Sequence, residues 1–388
     1  MREGSWDQAR SIAASTFTQL ASERVELSNS VGRTLAFDAS ALCDLPAYET
    51  SSMDGWAVSG KGPWKVIGEV ATGKKSTITI IDGQALTIAT GGVIPEGATA
   101  VIPWESANNA DGVISGEIEF GANIRPAGAE CREGELLIHA GTRLTPPMVG
   151  LLAATGHDEI EVRLRPRIAI FFLGDELLHT GVPLDGSIRD ALGPQLPSLL
   201  QSEGAEVIAA RFVRDDLDTL NNEIASVLHE VDVLITTGGT ADGPRDYVKS
   251  AIAHLQGTIV IDCARVRPGF HILLADIRSE DRKVGFLALP GNPQSALAAF
   301  TSFGIPLIAS LLGQTLPDFT QIKIDSAMKT PKNFSRLVPG TVDRNIFTPS
   351  EYLGSAMLRG VAHSNGFALL EPGENPAGAT ARWLPFTF

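Results

Sequence analysis

Between residues 168 and 312 the apolar positions fall into two alternating patterns. Residues 168–173, 206–212, 231–236, 257–261 and 284–289 are short, near-continuous apolar runs rich in β-branched side chains. Residues 191–203, 217–229, 247–255 and 293–312 place apolar side chains at helical spacing. Buried strands joined by helices predict a doubly wound α/β unit with a parallel sheet covered on both faces.

Around this unit the pattern changes. Residues 6–24 read as an amphipathic helix, with Ile12, Ala13, Phe17, Leu20 and Ala21 near one face. Residues 25–35 have short strand character with a turn at 28–32. A β-rich segment spans 57–138, with runs at 64–70, 76–81, 85–90 and 100–104 separated by Gly and Pro. Residues 145–156 read as a short helix closed by a glycine cap. Residues 160–167 read as a strand and linker, whose Arg163, Arg165 and Arg167 suit a solvated face. After residue 313 short β runs return, predicting a small β-barrel or sandwich. Four units follow: 1–48 with 143–166, a mixed linking unit; 49–142, β-rich; 167–313, α/β; and 314–388, a C-terminal β-barrel.

Composition bounds the class. With 388 residues, 44% hydrophobic and 20% charged, the chain has material for several real cores. No apolar run is expected to reach the ~20 residues of a membrane helix, so no direct membrane insertion is predicted. The charged N-terminus does not suit a signal peptide. Three scattered cysteines fit neither a disulfide framework nor a zinc pattern, and the expected location is cytoplasmic. A net charge of −14 argues against nucleic acid as partner. An anionic substrate must therefore be held by local amides, cations or a metal ion.

Three loops following the strands carry the chemistry. The first is Gly174-Asp175-Glu176-Leu177. The second, Thr237-Gly238-Gly239-Thr240, runs through Asp242 and Gly243 to Asp246. The third is Pro290-Gly291-Asn292-Pro293, followed by Ser295. Adjacent glycines let the backbone approach a ligand and turn its amides outward as an anion nest. A Gly-Gly turn also serves merely to reverse a chain, and Asn292 or Ser295 suits a helix cap. Loops leaving one edge of a parallel sheet converge, however, and three convergent loops predict a site. Their carboxylates, Asp175, Glu176, Asp242 and Asp246, suit Mg²⁺ shared with phosphate oxygens; capping or pairing with an arginine is the bland alternative for Glu176.

Five motifs together resemble the molybdopterin molybdenumtransferase family, the bacterial MoeA proteins and the gephyrin E domain. They are Met53-Asp54-Gly55-Trp56-Ala57-Val58, residues Thr90 to Ala98, Gly174-Asp175-Glu176-Leu177, Thr237-Gly238-Gly239 and Leu289-Pro290-Gly291-Asn292-Pro293. The resemblance implies an L-shaped homodimer whose α/β unit is MogA-like. It also implies a site between the α/β unit of one subunit and the β-rich unit of the other. The implied reaction inserts molybdate into adenylylated molybdopterin with Mg²⁺ and releases AMP. Asp54, Thr90, Glu176 and Asp246 would be catalytic. Gly174, Asp175, Thr237, Gly238, Gly239, Arg267, Pro290, Gly291, Asn292, Pro293 and Ser295 would bind substrate. Glu176, Asp54, Asp246 and Glu130 would be the metal candidates.

The chain also departs from the family pattern. A lysine-rich loop reads Arg267-Pro268-Gly269-Phe270, Cys263 stands at another usual lysine, and Asp190 is followed by Ala191-Leu192. The lost cations motivate a second reading. In it the chain is a dimeric scaffold that grips the peptide tail of a cytoskeletal or membrane-receptor protein, as the gephyrin E domain does.

Overall fold

The computed structural model describes residues 1–387 other than 72, 241, 242, 244, 245 and 281. Its centre is a seven-stranded sheet: β1 (Arg2–Gly4), β2 (Arg167–Leu173), β3 (Glu206–Val213), β4 (Val233–Thr237), β5 (Thr258–Ala264), β6 (Leu273–Ser279) and β7 (Arg282–Leu289). The spatial order is β1-β5-β6-β7-β4-β2-β3. Strands β7, β4, β2 and β3 run parallel, as the apolar runs predict, but β6 pairs antiparallel with both β5 and β7. The sheet is therefore mixed, which corrects the all-parallel expectation. β6 follows Pro268-Gly269, so the sequence reads as loop there. The register Ser279↔Arg282 makes it a hairpin arm instead.

Two further boundaries moved. The first helix, α1 (Trp6–Ser15), stops where Ser15 and Thr16 turn their hydroxyls back onto the Ser11 and Ile12 carbonyls. The chain then continues as a strand, Ser22–Glu26, paired with Glu159–Arg163. Arg163 is not simply solvated: it donates to the Leu20 and Ala36 carbonyls. The helix predicted from 191 begins at Leu196, because Asp190 accepts the amides of Leu192 and Gly193 and holds a turn before Pro194. Residues 76–81 form no strand; of their three isoleucines only Ile80 is buried.

The β-rich unit is a six-stranded sheet built on Gly55–Val58, with small cores on its two faces around Trp64 and Leu86. The C-terminal unit is a barrel, closed by the pairing of Ser335–Asp343 with Gly366–Leu370. Residues 22–40 join 136–163 in the linking unit. Residues 2–17, by contrast, are built onto the α/β sheet, where β1 pairs with β5 and α1 enters the main core.

That core surrounds the helix spanning Pro293–Leu312. By length and composition alone it could cross a membrane, which corrects the expectation that no run is so long. Most of it is packed inside the fold, as 89% of its most apolar window is buried. Its middle, Phe300–Gly304, widens to a π turn in which the Ile305 amide reaches Phe300. Pro306 has no N–H to offer the Ser302 carbonyl four residues back. The carbonyls of Thr301 and Ser302 instead accept the Arg10 guanidinium, at 3.2 and 2.8 Å, and Trp6 Nε1 donates to Ser302 Oγ at 2.9 Å. Burial, followed by neighbouring Arg382, lowers Arg10 to about 10, so it still donates as a cation at pH 7.

Arg10→Met removes those donors while keeping an unbranched stem beside the Trp6 and Phe319 rings. Two buried carbonyls then lose their partners, and stability is expected to fall by about 1–3 kcal/mol. Urea denaturation followed by circular dichroism checks this. An unchanged midpoint contradicts the role given to Arg10.

Candidate active site

Strands β7, β4 and β2 are neighbours, so the loops after Leu289, Thr237 and Leu173 leave the same sheet edge. They also touch. The Gly238 amide donates to the Leu289 carbonyl at 2.9 Å, and a β-carbon on Gly291 would lie 3.5 Å from Gly238 Cα. Gly238 and Gly239 have φ of +84° and +65°, a backbone that other residues adopt only under strain. The three predicted loops thus form one glycine-lined cradle.

Glu176 stands at its rim. A β-carbon on Gly174 would lie 3.0–3.1 Å from the Glu176 carboxylate, so glycine leaves that carboxylate its place. Glu176 is exposed, and no hydrogen bond or ion pair engages its side chain among the described residues. Capping and pairing therefore do not explain it. Asp175 is differently placed, exchanging amide–carboxylate contacts at 3.4 Å with Asp215 and facing Arg214 at 3.9 Å. Asp246 accepts the Gly243 amide at 2.6 Å and closes a turn. Asp242 lies outside the described residues. Thr237 is 2% exposed and sits in the ladder between two neighbouring strands, so it is packed beneath the cradle and does not line it.

The third loop is docked against the C-terminal unit. Asn292 occupies the cap position but makes no side-chain cap bond; its amide reaches Ser355 Oγ at 3.4 Å. Ser295 is buried and its backbone amide donates to the Ser355 carbonyl at 3.2 Å. The cap reading thus fails for Asn292. Pro290 and Pro293 flank the turn into the helix, with Pro293 in its first turn.

Across the molecule, Asp54 and Thr90 meet in the β-rich unit. Asp54 Oδ1 accepts both the Thr90 amide (2.7 Å) and the Thr90 hydroxyl (3.1 Å), leaving Oδ2 free of them. Gly55 makes this possible, since a β-carbon there would sit 2.1 Å from the Ile102 carbonyl oxygen. Glu130 lies elsewhere, beside Leu45, whose carbonyl accepts its amide at 2.9 Å. With Glu135 it adds to the burial that raises the Cys131 thiol above its ordinary value. Among the described residues of one chain, no three His, Cys, Asp or Glu side chains gather as a metal cluster. The four predicted metal candidates are therefore not brought together within the chain. Mg²⁺ needs only one or two carboxylates beside phosphate oxygens, a demand that unpaired Glu176 meets.

Residues 4–156 match the family model described as "MoeA N-terminal region (domain I and II)", and residues 169–310 match "Probable molybdopterin binding domain". A molybdopterin molybdenumtransferase of Nostoc sp. is 32% identical over 310 residues, covering 76% of this chain and 71% of that protein. The chain belongs to the molybdopterin molybdenumtransferase family. Its members named here are transferases, and the family's place is in molybdenum cofactor biosynthesis. A second relative of that name, from Staphylococcus epidermidis, is 28% identical over 368 residues, covering 90% of this chain and 87% of its own. The crystal structure of a MoeA protein from Pyrococcus horikoshii superposes over 99% of both chains with a TM-score of 0.81 at 24% identity, which shows the shared fold.

Within this MoeA fold the structure adds a residue that sequence reading missed. Val266–Arg267 pairs parallel with Ser335–Arg336, placing Arg267 opposite Arg336. Register partners in a parallel ladder stand roughly 4.8 Å apart on one face. Neither arginine has a carboxylate within ion-pair distance among the described residues; Arg336 only donates to the Lys329 carbonyl at 3.4 Å. Two register-paired arginines without an ion-pair partner among the described residues concentrate positive charge locally on a chain of net charge −14. Arg336 has no local sequence signal, because only strand register reveals its neighbour.

Gly55→Ala is expected to break the pairing of Gly55–Val58 with Ala100–Pro103 and to cost about 2 kcal/mol or more. Hydrogen exchange checks this: protection should fall in those two strands while β2 and β4 stay protected. Full protection in the β-rich sheet contradicts the packing argument.

Proposed function

We propose that this protein inserts molybdate into adenylylated molybdopterin and releases AMP, with Mg²⁺ as the required ion. The unpaired Glu176 carboxylate beside the three-loop glycine cradle carries the reading. Backbone amides of Gly239 and Gly291 would hold phosphate oxygens, as oriented N–H groups do in anion nests, while the Gly238 amide is spent on the Leu289 carbonyl and ties the two turns together. Arg267 and Arg336 would hold the molybdate oxygens; planar forks suit an oxoanion. Glu176 would orient the attacking group at the phosphoanhydride. Mg²⁺, held by Glu176 with phosphate oxygens, supplies charge neutralisation when bound. Asp54 and Thr90 belong to a different unit and form no contact with Glu176 in one chain. We place them on the wall that a second copy supplies, in an L-shaped homodimer acting in the cytoplasm.

Purified protein given adenylylated molybdopterin, molybdate and Mg²⁺ should release AMP, and Glu176→Ala should slow release by about a hundredfold. Absence of AMP, or equal rates for the variant, overturns the reading. Cys263→Lys, which restores a cation and leaves the Phe270 ring in place, should raise kcat/KM by about tenfold. An unchanged or lower value counts against a phosphate or molybdate held beside this loop.

The lysines missing at Cys263 and Phe270 motivate a second role, as a dimeric scaffold. In that role the C-terminal unit would grip a peptide tail of a cytoskeletal or membrane-receptor protein. Affinity capture followed by calorimetry with the captured peptide tests it, and capture of metabolic enzymes alone counts against it.

A further inference from the structure

The two arginines raise a physical difficulty. Arg267 and Arg336 sit side by side on one ladder and repel each other, and no carboxylate holds either in place among the described residues. An exposed arginine has many rotamers, so repulsion alone would send Arg267 into solvent. The structure supplies a restraint. The Arg267 guanidinium carbon lies 4.5 Å from the centroid of the Phe334 ring, within the range for a cation held over an aromatic face. Phe334 is itself braced by Phe270, with ring centroids 5.4 Å apart and planes at 60°. Phe270 in turn meets His271 edge-on at 4.9 Å. Gly269, at φ +110°, brings this loop against the helix that starts at Pro293; a β-carbon there would lie 3.6 Å from the Ser295 carbonyl oxygen. Phe334 closes the turn that leads into the strand Ser335–Asp343, two residues before Arg336.

We infer that Phe334, braced by Phe270, is a positioning residue for Arg267, and that its ring holds the Arg267 fork beside Arg336 to receive one tetrahedral oxoanion. This rests on the oxoanion-binding reading of the site. Phe270 then has a use where a lysine is usual: it gives up a charge and supplies the brace that keeps Arg267 ordered. The substrate class is a tetrahedral oxoanion of the molybdate kind, recognised by two planar cations and not by flexible ammonium groups.

Sodium molybdate titrated calorimetrically into the purified full-length protein at low salt is the test. Phe334→Ala is expected to weaken binding about three- to tenfold. Phe334→Leu, which keeps the apolar packing against Phe270 but has no ring face, should weaken it equally. Phe334→Trp should restore it. In the Arg267→Ala background, Phe334→Leu should have no further effect, because the ring then has nothing to orient. The proposal is overturned if Phe334→Leu binds as tightly as the parent, or if it weakens binding as much without Arg267 as with it. If Arg267→Ala and Arg336→Ala both leave binding unchanged, the oxoanion reading itself fails, and the proposal with it.

Discussion

A proline inside a buried helix sets the terms for much of this fold. Pro306 gives the Ser302 carbonyl no donor, and the π turn at Phe300–Gly304 leaves Thr301 in the same position. In a core this apolar, an unpaired carbonyl costs more than a hydrogen bond contributes elsewhere. The N-terminal helix supplies the missing donor: Arg10 reaches both carbonyls while stacking between the rings of Trp6 and Phe319. Arg382 lies over the same two rings and is held by Asp7 and Glu371. One polar requirement in the core thereby ties the chain's first helix and its last strand to the helix whose N-terminal end faces the candidate site.

That helix also explains why the site is where it is. Its first turn begins at Pro293, directly after the loop whose Gly291 touches Gly238. The cradle depends on backbone, on glycines with positive φ and on adjacent parallel strands, more than on side chains. Side chains then decide what it does: Glu176 is left unpaired at the rim, while Asp175 and Asp246 are taken up locally. The barrel contributes from the other side. The short strand Val266–Arg267 leaves the α/β unit to pair with the barrel, so a connection between units carries Arg267, the cation of the proposed oxoanion site.

The strands and helices of the α/β unit were legible because buried strands and amphipathic helices differ in period. The convergence of three loops followed from strand direction. β6 was not legible, since its hairpin follows a Pro-Gly loop and lies antiparallel where the neighbouring pattern is parallel. The start of the helix at Leu196 was hidden because Asp190 holds the Leu192 and Gly193 amides in a local turn whose sequence looks like a helix cap. At the site, Asp54 with Thr90, Glu176 and the glycines could be named from motifs. Thr237 could be named, but its burial could not. Arg336 was invisible, because its meaning comes from the residue opposite it, roughly seventy positions away in the chain, and register across units leaves no local trace.

The central claim is that the site needs two walls from two copies of the chain. Within one chain, Asp54 and Thr90 bond to each other and no metal cluster joins them to Glu176 among the described residues. The direct measurement is complementation between Asp54→Ala and Glu176→Ala proteins, each inactive in AMP release by itself. After subunit exchange, half of randomly paired dimers carry one intact site of two, so about a quarter of wild-type activity should return. No recovery in a mixture shown to contain heterodimers would contradict the account, because each chain would then have to carry both walls itself.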